Sequence, residues 1–559
     1  MHRSLIYPRG SARHRWGSNA RSSHRASQLL TNDEGFQNPR PVLQLIDAHL
    51  IATLASIIKI ISCCGAIGAM INPGTTVLLF KILLVCYLLF SVMLVRAGVT
   101  EPNPRLEDAF DFMNVLAKKG LHDLKEERWN AYGQFTYISS WKSGFPASYT
   151  NLNGSINSLL PGSERSFTGT ATLYLGLKTW HGGEIYYVPE MISMRPLSDL
   201  KGLGGAIQNF ELQKGGTETP IFYQSRLFFK QTFGFGGERI QLTSDPMQLG
   251  TTVDSRRLVV RFGNFSVIDF FDKNSYSGDL RRQFLNMAFM TYAAFDFAAD
   301  ARGYTWGGVA EYFHDDWTFR FGHVATAIDP NQIPLDMRVF KYYGQQVEVE
   351  RRHLLNGYPG AVRILAYRNH ENMGKFSDAI AAFRFDPNKN ATTCTGFNYG
   401  SGNAGAPDLC WARNPNDKMG IGINIEQQVL DGVGLFFRGM YSDGKTEVYS
   451  YTSTDRSISL GALVNGFRWG RDGDLLGIGF AAGWISGQHA KYLNMGGVDG
   501  FIGDGRIKAR AEDVVDIFYS VNVLSSLWVT ADYQHITNPG FNADRGPVNI
   551  YGLRVHAEF

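Results

Sequence analysis

From residue 132 to the end of the chain, apolar side chains recur at every second position, in runs about ten residues long, the length of a membrane-spanning strand. Leu258, Val260 and Phe262 alternate with Arg257, Val259 and Arg261, and Ile421, Ile423 and Ile425 with Gly422, Asn424 and Glu426. Leu527, Val529, Ala531 and Tyr533 alternate with Trp528, Thr530, Asp532 and Gln534. The last run sets Tyr551, Leu553, Val555, Ala557 and Phe559 against Gly552, Arg554, His556 and Glu558. Successive strand side chains point to opposite faces, so this period demands sheets with one apolar and one polar face.

A soluble sandwich with one wetted face has the same period. Two features favour a transmembrane antiparallel β-barrel. Short turns, such as Ser525-Ser526 and residues 430–432 and 471–474, alternate along the chain with much longer connections, as in outer-membrane barrels with short periplasmic turns and long outer loops. The other feature is Phe559, which closes an amphipathic strand as the terminal residue. Counting backwards from it places sixteen strands, from 547–558 to 132–141, an even number as a single-chain bacterial barrel requires. Eighteen is the alternative, because 236–255 should be a short turn and is long. The class is therefore all-β, with an aqueous channel expected at this barrel size.

Composition excludes the competing classes. Charged residues are 19% and mean hydropathy is −0.16, and no apolar run of about 20 residues occurs beyond the first hundred, so a helical membrane bundle is out. A net charge of +3 over 559 residues gives a nucleic-acid partner no support. An apolar content of 44% excludes a largely disordered chain.

The N-terminus reads as an address. Residues 82–95 (ILLVCYLLFSVMLV) form an apolar core of signal-peptide length after Lys81, and Val95-Arg96-Ala97 is a small-residue cleavage site. Cleavage after Ala97 leaves a chain starting at Gly98. Such signals seldom lie seventy residues into a chain, so the reading is that translation starts at Met70, that 70–97 is the signal peptide and that 1–69 is a misassigned start. A membrane anchor at 50–70 is the alternative. Residues 98–130 are polar, with loose helical periodicity over 106–128, and read as a short periplasmic segment before the barrel at 131–559. Of five cysteines, Cys394 and Cys410 alone lie in the barrel region; their spacing in a Gly/Asn/Pro-rich stretch reads as a loop disulfide of an oxidising compartment.

Parity also names candidate lumen residues. With Leu258, Val260 and Phe262 facing lipid, Arg257 and Arg261 face inward, and by the same rule so do Arg226, Lys230, Glu348, Glu350, Arg352, Arg438, Asp532, Gln534, Arg554 and His556. A lumen of both signs suits a neutral polyhydroxylated solute, because charged groups make strong hydrogen bonds to hydroxyls; hydration of the channel and mutual pairing is the plainer role. The apolar stretch 282–299, between two strands, reads either as a loop folded into the barrel or as a lid over its mouth. No GxSxG, HExxH or P-loop occurs. His314-Asp315-Asp316 falls in an expected turn, so no catalytic residue, metal or cofactor is expected.

Several long segments carry a family resemblance. DYQHITNPGFNADRGPVNIYGLRVHAEF at the C-terminus and FDKNSYSGDLRRQFLNMAFMTYAAFDFAADARGYTWGG from Phe271 resemble the OprB-type carbohydrate-selective porins. GAVRILAYRNH, GINIEQQVLDGVGLFFRG and YLGLKTWHGGEIYYVPEM agree, in the right order. The resemblance implies a water-filled pore in the bacterial outer membrane that passes sugars by diffusion. Its expected partners are permeating sugars, outer-membrane lipid and, through the strand ending at Phe559, the barrel-assembly machinery, in a monomer or a homotrimer. A general or anion-preferring porin is the alternative, on the inward Arg226, Lys230, Arg257 and Arg261.

Overall fold

The alternating runs pair as antiparallel ladders that close on themselves. The computed structural model describes residues 112–389, 403 and 405–559; the start-site, signal-peptide and anchor expectations fall outside them. A helix, α1 (Phe112–Lys118), precedes the sheet. The first strands are β1 (Trp129–Lys142), β2 (Glu164–Trp180), β3 (Gly183–Arg195) and β4 (Ile221–Gly234). A small separate hairpin follows, β5 (Arg239–Leu242) with β6 (Thr251–Asp254). The barrel resumes with β7 (Arg257–Phe265), β8 (Thr305–His314) and β9 (Trp317–Val324). A two-residue pair, β10 (Thr326–Ala327) and β11 (Leu335–Asp336), lies in the next loop. Then come β12 (Tyr343–Leu355), β13 (Tyr358–Gly374), β14 (Arg413–Leu430), β15 (Val433–Ser442) and β16 (Arg456–Asn465). The last are β17 (Leu475–Trp484), β18 (Glu512–Leu524), β19 (Leu527–Thr537) and β20 (Val548–Glu558).

The closed sheet has sixteen strands, each beside its sequence neighbour, and every expected strand overlaps an observed one. The long turn at 236–255 is explained by the β5–β6 hairpin, an ornament on the turn rather than two more barrel strands. Closure joins β1 to β20, with Gln134 opposite Glu558 and Lys142 opposite Ile550. Phe559 continues that ladder: its N–H donates to Gly133 O (2.9 Å) and its carbonyl accepts from Gly133 N (2.7 Å). Its ring lies over Gly133, where a Cβ would come within 2.2 Å of it, so the glycine makes the seat for the terminal phenylalanine.

Exposure follows the parity. Phe262 is 66% exposed on the outer face while Val259 is buried on the inner one. The start of β1, the end of β20 and the short turns share one end of the barrel. At one of the two-residue turns, Asn356-Gly357 joins β12 to β13 with φ of 53° and 83°, the two positive values a twisted hairpin needs and these residues tolerate.

The stretch 282–299 lies inside the barrel. Phe284 meets Phe436 of β15 and Phe518 of β18 at ring distances of 5.5 and 5.0 Å. Phe289, Tyr292, Phe295 and Phe297 share one buried core with inward residues such as Tyr186, Tyr367 and Ile536. An apolar loop between strands would be costly in water; tucked against the wall, it narrows the bore. Cys410 is disulfide-bonded, and Cys394 lies outside the described residues.

Candidate functional site

Strand register places a row of alternating charges along the inner wall. Glu184 of β3 sits opposite Lys230 of β4, and Lys230 opposite Arg261 of β7. Glu311 of β8 faces Arg320 of β9, and Arg320 faces Glu348 of β12. Glu350 then faces Arg363 of β13. Cross-strand side chains at such positions are within reach of one another, and here they pair. Lys230 meets Glu184 at 2.9 Å, Arg261 pairs with Glu311, and Arg320 bridges Glu311, Glu348 and Glu350 at 2.9, 2.7 and 2.9 Å. Arg363 joins Glu350 (2.9 Å) to Glu426 of β14 (3.3 Å). Arg352 approaches Glu350 at 3.7 Å. The belt thus spans eight neighbouring strands, β3, β4, β7, β8, β9, β12, β13 and β14.

Arg257 lies lower, at the turn end of the same wall. Its guanidinium rests 3.9 Å from the Phe313 ring centroid and donates to the Asp254 carbonyl (3.0 Å). Solvent reaches Arg257, Arg261 and Arg352 in part.

Above the belt, Arg226 donates from Nε and Nη2 to Asp269, both at 2.7 Å, and covers Tyr304 at 5.2 Å. Its Nη1 makes no hydrogen bond among the described residues. Beside it Glu190 of β3 gathers Lys214 (2.6 Å), Thr172 (2.7 Å), Tyr304 (3.3 Å) and Tyr223. Arg281, from the inserted segment, pairs with Glu211 in the β3–β4 loop. Burial works against the Lys214 charge, but Glu190 beside it holds the ammonium above the ordinary lysine range. Arg302 covers Tyr223 at 4.6 Å, so a cation, two tyrosines and a carboxylate share one patch of wall.

The other expected residues hold the inserted segment. Arg438, 1% exposed, binds Asp272 at 3.0 Å and the Ser277 carbonyl at 2.7 Å. Arg554 donates to the carbonyls of Leu280 (2.5 Å) and Gln283 (2.7 Å). Gln534 accepts from Asn286 (2.9 Å) and donates to Gln208 O and to Asp532, both at 2.9 Å. His556 lies 2.8 Å from Thr136 Oγ1. Of the inward residues, Lys230, Arg261, Glu348, Glu350 and Arg352 join in the belt, Arg226, Arg438, Gln534 and Arg554 fasten the 266–304 loop, and Arg257 and His556 do neither. Of His314-Asp315-Asp316, His314 ends β8 and Asp315-Asp316 form the β8–β9 turn, with Asp315 paired to Arg256 at 2.9 Å.

At the turn end a second narrowing was not read from the sequence. Residues 243–250, between β5 and β6, tuck under the wall: Leu249, buried, donates its N–H to Tyr186 Oη (2.9 Å). Glu127 latches this turn, accepting from Gly250 N–H and Ser244 Oγ, both at 2.7 Å, while its own N–H donates to Gly250 O (2.8 Å).

The sequence profile described as "Carbohydrate-selective porin, OprB family" matches residues 165–559. The chain belongs to the OprB family of carbohydrate-selective porins. It is a carbohydrate channel of the bacterial outer membrane, and family and fold alike are those of channels. The high-pH structure of Pseudomonas putida OprB is similar in fold, with 16% identity, TM-score 0.57, and coverage of 80% of this chain and 96% of that one. The outer membrane channel DcaP of Acinetobacter baumannii aligns with 8% identity and TM-score 0.42, over 78% of this chain and 100% of that one. No match is found among curated proteins. In this porin the turn end is periplasmic and the loop end extracellular.

Glu184, Glu311, Arg320, Arg363 and Glu426 complete the belt and were not singled out in sequence. The parity rule reaches most of them, since Arg320 alternates with the outward Phe319 and Phe321. Lys214, Glu211 and Arg281 come from loops, where no period applies.

Proposed function

We propose that this porin passes monosaccharides and small oligosaccharides by diffusion along the β4–β12 wall, with Arg226, Lys230, Arg257, Arg261, Glu348, Glu350 and Arg352 as the polar surface of the route. The observation that carries this reading is the belt of alternating charge. Each belt guanidinium has a carboxylate neighbour, so the field along the wall is short-ranged and favours neither ion strongly, while the partly exposed Arg257, Arg261 and Arg352 remain available to hydroxyls. Above the belt the half-buried ring of Tyr223, under the Arg302 guanidinium, adds an apolar face. A conducting pore needs such contacts to be weak, because a tightly held solute leaves slowly. Arg438, Asp532, Gln534 and Arg554 serve the route indirectly by fixing the loop that narrows it.

A second reading, an anion-preferring porin, rests on the partial exposure of Arg257, Arg261 and Arg352. Sugar block of single-channel current in planar bilayers separates the two. The sugar reading expects concentration-dependent block by neutral hexoses at fixed salt. Absence of block together with strong chloride preference leaves the anion reading.

The mature chain starts at Gly98 after signal-peptide removal, Cys410 pairs with Cys394, the strand ending at Phe559 engages the barrel-assembly machinery, and the porin works as a monomer or a homotrimer without a covalent step or cofactor. N-terminal sequencing of the outer-membrane form tests the first; intact residues 1–97 in that fraction would refute it.

A further inference from the structure

The lipid-facing wall changes character at the extracellular ends of β9, β12 and β13. Lower outward positions are apolar and exposed, among them Phe319, Phe321, Val347 and Ile364. One step higher the same faces carry His323, Tyr343, Arg368 and His370, and register brings them together: Gln345 lies opposite both His323 and Arg368, and Tyr343 opposite His370. This is the level at which aromatic rings meet membrane headgroups.

The β9–β12 loop then folds back over the outside of the barrel. His323 Nε2 lies 2.9 Å from the Val339 carbonyl, and Phe340 stacks on the His323 ring at 5.9 Å. Phe340 is nevertheless 90% exposed, and Met337 beside it is exposed too. Three cations rim this apolar tip. Arg338 and Lys341 sit 5.5 and 5.1 Å from the Tyr342 ring, and Arg368 sits 6.0 Å from that of Tyr343. Asp336 and Asp417 each orient one guanidinium, Arg338 and Arg368 (2.6 and 3.0 Å). Lys341 makes no ion pair among the described residues. Elsewhere on this rim Arg165 stands on Trp141 (5.3 Å) with Arg195 on the neighbouring Phe167 (5.8 Å), and Arg456 stands on Tyr441 (4.9 Å).

We propose that this sector is a binding site for a phosphorylated glycolipid of the outer leaflet. Phe340 and Met337 enter the upper acyl region, and Lys341, Arg338 and Arg368 hold the phosphate groups. Exposed apolar side chains flanked by cations at the headgroup plane match that chemistry on both counts. The apolar part needs hydrocarbon, and clustered Lys and Arg beside membrane-spanning elements bind anionic headgroups, with arginine forks suited to phosphate oxygens.

The test uses the full chain in detergent, with native mass spectrometry after addition of a bis-phosphorylated glucosamine lipid (lipid A), the same lipid dephosphorylated, or inorganic phosphate. The parent should retain the phosphorylated lipid at least tenfold better than the dephosphorylated one, and millimolar phosphate should not displace it. Lys341→Gln with Arg368→Gln should lose that preference, whereas Arg165→Gln with Arg456→Gln should keep it. Heat-modifiable gel mobility confirms that each variant is folded. Equal retention by the Lys341/Arg368 variant, equal binding of the dephosphorylated lipid, or displacement by phosphate alone would overturn the proposal. So would a parent oligomer that dissociates in that variant with lipid retention unchanged, since the occupant is then a second copy of the chain.

Discussion

Replacing Arg257 and Arg261 together by alanine tests whether the belt sets ion preference. Neither loss strands a buried carboxylate, because Glu311 keeps Arg320 at 2.9 Å and Arg257 gives up only a carbonyl and the Phe313 face. The barrel should therefore fold. Along this wall Lys230, Arg257, Arg261, Arg320, Arg352 and Arg363 outnumber Glu184, Glu311, Glu348, Glu350 and Glu426 by one, and the double variant reverses the sign. A unit charge about 8 Å from a permeating ion in water contributes about 0.5 kcal/mol. Two charges, acting oppositely on cation and anion, shift the permeability ratio by about 2 kcal/mol. Salt at 0.1 M, with a Debye length of about 10 Å, cuts this to about 1 kcal/mol, or roughly fivefold towards cations. Reversal potentials in a salt gradient measure the ratio, and the shift should grow as salt is lowered. Sugar block should weaken in the same variant by a few-fold, well short of the roughly 1.5–3 kcal/mol of a charged hydrogen bond, because the lumen is wet. Val260→Ala, on the lipid face, should change neither. A double variant with parental selectivity and sugar block at low salt would refute the reasoning.

Three further outcomes follow from named contacts. Glu127→Ala removes the latch on residues 243–250, losing charged hydrogen bonds of about 1.5–3 kcal/mol, so single-channel conductance should rise or flicker, and an unchanged trace would show the turn does not narrow the exit. In the extracellular loops, burial alone would lower the His489 pKa, but Asp455 at 3.1 Å and Asp499 at 3.2 Å raise it to about 9; a raised folded-state pKa stabilises the charged clamp fully below about 6.5 and loses that contribution as pH passes about 9. Protease nicking of loops 443–455 and 485–511 should therefore increase between pH 8 and 10 in the parent and be insensitive to pH over that window in His489→Ala, with about 3 kcal/mol at stake at most. Deleting Phe559 removes its ladder bonds to Gly133 and should lower the amount of folded barrel in the outer membrane at native expression, scored by heat-modifiable mobility, with conductance of the surviving channels unchanged.

The strands were legible because lipid on one side and a polar interior on the other impose period two, which survives without any knowledge of partners. Boundaries slipped where that pressure ends. β14 begins at Arg413 although Pro415 lies within it, since beyond the membrane a proline exposed on the outer face disturbs little. The β5–β6 hairpin was missed because four-residue strands carry too short a period to read. Parity assigns Arg438 and Arg554 to the same face as Arg261 and cannot separate them. That distinction depends on where the 266–304 loop lies, and its position is fixed by contacts such as Asn286 to Gln534 and Arg438 to Asp272, between residues more than a hundred positions apart. The Glu190 cluster was hidden for the same reason: two of its partners, Lys214 and Tyr304, arrive from different loops.

Liposome swelling with three solutes of one size tests the central claim most directly. A neutral hexose, the corresponding hexonate anion and the corresponding hexosamine cation differ in charge and little else. A wall of paired charges lets the neutral sugar enter fastest, with both charged solutes slower and the difference shrinking as salt is raised. Hexonate entering fastest, or no swelling with the hexose, would contradict the account.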